Sequence, residues 1–270
     1  MEKLPRVAVV GVGNMGEALI RGFLAKGLVA ASELVGVELV APRAKEMAEK
    51  YKIPVLGSVS EACREAGVVV LAVKPQDADR ALAEIGGSIR GALLLSVCAG
   101  ISLARLAQRL PGGTPVVRAM SNTPALIGCG ASVYCAGESV SAGDRNTVDG
   151  LLGAVGEVYS VDKETLLDAV TGLSGSGPAY VFAFLEALAD GGVLMGLPRQ
   201  LARALACQTL IGSACLARES GEHTAELKDR VASPGGTTIA GLRELEARGF
   251  RGAVIEAVRV ATARSRELGE

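Results

Sequence analysis

The sequence predicts an α/β domain over residues 1–162 followed by an all-α domain over residues 163–270, and three observations carry that prediction. Short β-branched and leucine runs alternate with helical stretches through the first half, the pattern of a parallel sheet with crossover helices. Strand signals stop near Lys163, and long helical segments rich in Ala and Gly take over. The length of 270 residues is close to two domains at about 150 residues each.

The elements follow in order. Strands are expected at residues 7–10, 34–37, 68–73, 93–97, 116–118 and 130–135. Helices are expected between them at 17–26, 44–50, 78–85, 103–109 and 145–154. The second half reads as helices at 178–195, 198–218, 224–231, 237–248 and 253–268. Pro178 and Pro198 stand where a helix can begin, because a proline in the first turn loses no hydrogen bond. Ala179, Ala183, Ala187 and Gly191 recur at helical spacing and let backbones approach closely, while Phe182, Phe184 and Leu185 put bulk on more than one face. A lone small bundle would not cover such faces, so the helical half is expected to form a homodimer, with higher homo-oligomers also compatible.

Composition narrows the function classes. Hydrophobic residues are 49% and charged residues 21%, which argues for a folded chain. Lys plus Arg is 28 against 29 for Asp plus Glu, without a cationic cluster, so no nucleic-acid partner is expected. The apolar run Val-Val-Val-Leu-Ala-Val at 68–73 is six residues, against about 20 needed to span a bilayer, so no membrane association is expected. The opening MEKLPR-VAVVGVG is broken by glycines too early for a signal segment and reads as a first strand. Six cysteines contain no C-x-x-C pair, which points to buried free thiols in a reducing cytoplasm and to no metal site.

Gly11-x-Gly13-x-x-Gly16 follows the first strand and opens the first helix, the context that a dinucleotide fingerprint requires. The glycines make the turn tight and bring the backbone near a pyrophosphate, which the helix amides then face. The first domain is therefore expected to be Rossmann-like and to bind NAD or NADP. Asn14 and Met15 would contribute their backbone amides. Two readings of the second strand remain open. If it ends at Val37, Glu38 sits at its tip, holds the adenosine ribose diol and favours NADH; if it runs to Val40, Arg43 becomes the candidate ligand for a 2′-phosphate.

Five further motifs carry a family resemblance. They are Ala72-Val73-Lys74-Pro75-Gln76, Ser96-Val97-Cys98-Ala99-Gly100-Ile101-Ser102, Arg118-Ala119-Met120-Ser121-Asn122-Thr123-Pro124, the 171–180 stretch TGLSGSGPAY and the 227–239 stretch LKDRVASPGGTTI. With the glycine turn, they make the chain closely resemble the pyrroline-5-carboxylate reductases from Val7 to near the C-terminus. The resemblance implies a dinucleotide domain, a helical dimerisation domain, and reduction of the cyclic imine Δ1-pyrroline-5-carboxylate to L-proline with NADPH or NADH, the last step of proline biosynthesis. It places Gly11, Val12, Gly13, Asn14 and Met15 on the pyrophosphate. Ala72, Val73, Lys74 and Pro75, with Cys98, Ala99 and Gly100, fall along the ribose and nicotinamide, and Asn122 near the nicotinamide end. Ser233, Gly236, Thr237 and Thr238 would hold the substrate, with the Thr238 hydroxyl on the ring nitrogen.

The residues themselves allow that chemistry. Glycines ahead of a helix start make a concave anion site suited to one carboxylate, whereas a plain cap by Thr237 or Thr238 is the alternative. No paired carboxylates or Cys/His pair supply a strong acid, and His223, the sole histidine, reads as a solvated residue ahead of a helix. An imine suits such a site, since its nitrogen takes a proton from water and the protein needs only to orient the reactants and exclude solvent. Lys74 is either a surface ion-pair residue or a ribose contact, and residues 175–178 either a tight corner or a substrate turn. Two rivals are a β-hydroxyacid dehydrogenase and a non-enzymatic NAD(P) sensor. The first needs a helix lysine where residues 164–227 have none, and the second has no use for a carboxylate loop.

Overall fold

The structure is a computed structural model that describes residues 4–269. It divides into two compact units, one of residues 1–176 with 261–270 and one of residues 177–260. Compactness thus groups residues 163–176 with the first unit, a different division from the 162/163 boundary drawn on strand content.

The first unit is built on one sheet of eight strands: β1 Val7–Val10, β2 Leu34–Val37, β3 Val55–Leu56, β4 Val68–Leu71, β5 Leu93–Ser96, β6 Val116–Met120, β7 Gly130–Ala136 and β8 Gly156–Ser160. Their order is β3-β2-β1-β4-β5-β6-β7-β8, parallel throughout except for the antiparallel β6–β7 pair. Every residue of β1, β2, β4 and β5 is buried, because helices cover both faces. Side chains alternate across the pleat. Val7 and Val9 pack with Leu19 and Phe23 on one side, and Ala8 and Val10 with Val35, Leu82 and Ile85 on the other.

The crossovers are α1 Asn14–Ala25, α2 Ala41–Tyr51, α3 Val59–Cys63, α4 Ala78–Ser88, α5 Leu103–Gln108 and α6 Ala142–Gly153. The helix α7 Leu166–Val170 continues into a π-helical turn, Thr171–Gly175. The sequence pattern does not announce β3, β8 or α3. β3 is two residues and α3 five, and β8 reads Gly-Glu-Val-Tyr-Ser at the sheet edge, so none presents an apolar run. The expected strands at 68–73 and 93–97 stop at Leu71 and Ser96, which releases Ala72–Pro75 and Val97–Gly100 into loops beyond the sheet.

The second unit contains α8 Gly177–Leu194, α9 Arg199–Ser220, α10 Thr224–Val231, α11 Thr237–Ala247 and the larger part of α12 Phe250–Gly269. Its interior is small: buried Ala189, Ala202 and Ala206, with Leu185 and Val193 packed against them. Phe184 meets Phe250 at a ring separation of 5.7 Å. The last turns of α12 belong to the first unit, where Ser265 Oγ donates to Asp168 Oδ1 at 2.8 Å.

Candidate active site

In an open parallel sheet, ligands lie beyond the carboxyl ends of the strands where the strand order reverses. Here β1 is that point, with β2 on one side and β4 on the other. A cleft of about 460 Å³ opens there, lined among others by Gly11, Gly13, Glu38, Ala72, Val73 and Lys74.

Each glycine of the turn has its own reason. Gly11 has φ +92°, and a Cβ on it would lie 2.8 Å from the Ala72 carbonyl oxygen. On Gly16 a Cβ would lie 2.0 Å from the Gly11 carbonyl oxygen, so this glycine permits α1 to pack on β1. At Gly13 nothing stands within 4 Å of the Cβ position, which leaves the backbone open to the cleft. Gly13 is also the N-cap of α1, without a side-chain cap, so the first amides of the helix are available to an anion. These features fit a dinucleotide pyrophosphate.

β2 ends at Val37, as the first of the two strand readings requires, and Glu38 stands at its tip in the cleft. Its Oε1 accepts from the backbone amides of Leu39 and Val40, both at 2.9 Å, which holds the carboxylate in place. Arg43 does not line the cleft. It donates from Nε to the Val12 carbonyl oxygen at 3.0 Å and pairs with Glu17 and with Glu46, the latter at 2.9 Å. Its expected alternative role, a 2′-phosphate ligand, is therefore not what the structure supports.

The loops after β4 and β5 lie side by side. Cys98 Sγ donates to the Val73 carbonyl oxygen at 3.1 Å, and burial pushes this thiol up to about 11, so it remains protonated. Gly100 has φ +73°, with the Leu268 carbonyl oxygen 3.3 Å from its Cβ position. Lys74 projects into the cleft and makes no ion pair among the described residues. Asn122 is occupied elsewhere: its Nδ2 donates to the Ser174 carbonyl oxygen at 3.1 Å and its Oδ1 accepts from Ala131 N at 2.9 Å. Each of these bonds uses one of the two donors of the Asn122 amide nitrogen and one of the two lone pairs of its oxygen, and together they fix the orientation of the side chain.

The cleft also includes Gln76, the last residue of the Ala72–Gln76 motif, and Asp77, Arg80 and Glu84, which no sequence motif marks. Arg80 and Glu84 are brought in by α4, and their helical spacing of four, starting six residues after Lys74, was the available signal.

The second candidate region, Ser233 to Thr238, lies in the second unit. Gly235 has φ +67°, a conformation that favours glycine, and a Cβ on Gly236 would lie 2.3 Å from Ser233 Oγ, a crowding that rotation of the serine side chain can relieve. The N-cap of α11 is Gly236, again without a side-chain cap. Capping by Thr237 or Thr238 is thus not what starts this helix, and their hydroxyls make no hydrogen bond among the described residues. Beside the loop a hollow of about 400 Å³ is lined by Lys228, Ile239 and Arg243. His223 caps α10, its Nδ1 accepting from Ala225 N at 3.2 Å. Residues 175–178, for which a tight corner and a substrate turn are both open from the sequence, form the end of a π-helical turn and the start of α8, and Gly175 is tightly packed, with Met120 Cε 2.5 Å from its Cβ position.

Among the described residues no group of His, Cys, Asp and Glu is arranged to hold a metal ion, and no helix is long and apolar enough to cross a membrane.

The fold and the cleft together define a dinucleotide-binding protein of the Rossmann class with a separate helical unit. Residues 164–268 match the family model for pyrroline-5-carboxylate reductase dimerisation, and residues 6–100 match the model for NADP oxidoreductase, coenzyme F420-dependent. The chain is 45% identical over 265 residues to the pyrroline-5-carboxylate reductase of Synechocystis, covering 98% of each chain. It is similar to the solved pyrroline carboxylate reductase of Plasmodium falciparum with NADP bound, at a TM-score of 0.90 and 32% identity over 100% of both chains. The pyrroline-5-carboxylate reductase of Coxiella burnetii gives a TM-score of 0.93 at 30% identity, covering 99% of this chain and 100% of that one. The chain belongs to the pyrroline-5-carboxylate reductase family.

Proposed function

We propose that this protein reduces Δ1-pyrroline-5-carboxylate to L-proline with a reduced nicotinamide dinucleotide. The observation that carries the reading is the pairing, in one chain of this family, of an open glycine-turn cleft with a second uncapped helix start at Ser233–Thr238. The first suits a pyrophosphate, the second a substrate carboxylate. When bound, the reduced nicotinamide supplies a hydride to the imine carbon.

The chain's own residues do the rest by placement. Gly11 to Met15 present backbone amides to the pyrophosphate, and Glu38 receives the adenosine ribose hydroxyls. Ala72 to Pro75, Lys74 above all, and Cys98 to Gly100 line the ribose and nicotinamide half. Ser233, Gly236 and Thr237 hold the substrate carboxylate, and the Thr238 hydroxyl accepts a hydrogen bond from the protonated ring nitrogen. That nitrogen carries a proton taken from water, so the C=N bond gains hydride at carbon, its π electrons return to nitrogen, and the product leaves as an amine. No side chain need act as a strong acid, in keeping with the commitment of His223 to a helix cap. The six cysteines are free, which suits a reducing cytoplasm, but only Cys63, Cys98 and Cys135 are buried as expected, whereas Cys129 and Cys207 are exposed and Cys215 is half-buried.

The test is Thr238→Ala. A hydrogen bond to a charged group is worth about 1.5 to 3 kcal/mol, so turnover should fall by roughly one to two decades while cofactor affinity and the melting curve hold. Unchanged turnover would remove Thr238 from the site, and loss of folding would return it to a helix-start role.

A further inference from the structure

The geometry points to Arg43 as a positioning residue that fixes the Val12–Gly13 peptide so that the Gly13 amide faces the pyrophosphate. This rests on the dinucleotide reading of the cleft.

Arg43 stands on α2, and its three nitrogens are all engaged. Nε donates to the Val12 carbonyl oxygen at 3.0 Å, one terminal nitrogen bonds Glu17 and the other meets Glu46 at 2.9 Å. Glu17 lies in the first turn of α1, just past the glycine turn. Its carboxylate is itself held by Lys50 and Tyr51, each at 2.8 Å. Burial works to raise the Glu17 carboxyl, but hydrogen bonds from Lys50, Arg43 and Tyr51 outweigh it and hold the group at about 2. The guanidinium is therefore aimed from both sides, and Arg43 is only 23% exposed at its side chain.

A trans peptide is planar, with its carbonyl and amide pointing in opposite directions. Fixing the Val12 carbonyl toward α2 therefore turns the Gly13 N–H away from α2. That amide makes no hydrogen bond among the described residues, and Gly13 lines the cleft. A flexible glycine peptide would otherwise rotate among several orientations, only one of which presents the donor. With two carboxylates on it, Arg43 offers the ligand little net charge, so its contribution is the orientation of a donor.

The experiment measures dissociation constants of NADH and NADPH by nicotinamide fluorescence, without substrate, for the parent, Arg43→Met, Arg43→Lys and Glu17→Gln. Arg6→Met, which removes another arginine–glutamate pair away from the turn, serves as control. Melting curves confirm that each protein is folded. Both Arg43 variants should weaken NADH and NADPH by the same factor, roughly threefold to tenfold, with Glu17→Gln smaller in the same direction and Arg6→Met unchanged. Loss of NADPH affinity alone would make Arg43 a 2′-phosphate ligand, and full rescue by lysine would make it a bare charge; either overturns the proposal. Unchanged affinity in all variants overturns it too. If Arg43→Met and Arg43→Lys do not fold, Glu17→Gln decides by the same criterion. A parent that binds neither cofactor fails differently, since it removes the dinucleotide reading itself.

Discussion

At position 38 a carboxylate occupies the tip of β2, pinned by two backbone amides and facing the dinucleotide cleft. Both hydroxyls of an NADH ribose can donate to it, whereas the 2′-phosphate of NADPH would meet it with like charge. At about 4 Å and an effective dielectric near 20 that repulsion is roughly 4 kcal/mol, lowered by salt. Arg43, the nearest cation in sequence, is engaged with Val12, Glu17 and Glu46 and does not line the cleft to offset it. NADH should therefore be preferred, and Glu38→Ser should move the ratio of kcat/KM values toward NADPH by at least about tenfold. Lys74 and Arg80 are the cleft residues able to reverse this, as both line it and form no ion pair among the described residues. A parent that already prefers NADPH, or a ratio unmoved by the substitution, would show that Glu38 does not set the choice.

Among the elements, the glycine turn separates folding from binding within six residues. Gly16→Ala places a Cβ 2.0 Å from a backbone oxygen, which only movement of α1 off β1 can relieve. Gly13→Ala meets nothing within 4 Å and keeps an ordinary φ of −68°, so its cost is limited to a poorer N-cap, at most about 1 kcal/mol. Calorimetry should show a lowered Tm for Gly16→Ala, while Gly13→Ala melts near the parent yet binds dinucleotide weakly because the new methyl faces the cleft. A Gly13→Ala protein with parental affinity would place the pyrophosphate elsewhere. The same contrast explains what the sequence made legible. Strands β1 and β2 have the same bounds in sequence and structure, because their helix-covered faces demand continuous apolar runs. The glycine turn was legible because its constraints are local. The edge strand β8 was not, since exposure of Glu157, Tyr159 and Ser160 leaves no hydrophobic signature, nor was Arg80, which depends on how α4 lies over the cleft. The partner of Arg43 was equally hidden, because residues 31 apart meet only through the fold.

On the scale of the whole molecule, the second unit leaves Phe182, Leu194, Met195 and Ile255 more than 60% exposed around an interior built on three alanines. Apolar surface of that extent in a stable helical unit calls for a partner, and its match to a dimerisation family makes a second copy of the chain the expected one. Light scattering at micromolar concentration should give a dimer or larger, and a charged substitution at Phe182 should shift the population toward monomer. A stable parental monomer would contradict this.

Imine reduction by this protein is measured by the absorbance of NADH and NADPH with Δ1-pyrroline-5-carboxylate, and separately of NAD with a 3-hydroxy acid. Oxidation of the reduced cofactor should require the imine and yield proline, with no comparable reaction of the hydroxy acid. Robust oxidation of the hydroxy acid with no imine reduction, or binding of the dinucleotide without turnover of the imine, would contradict it.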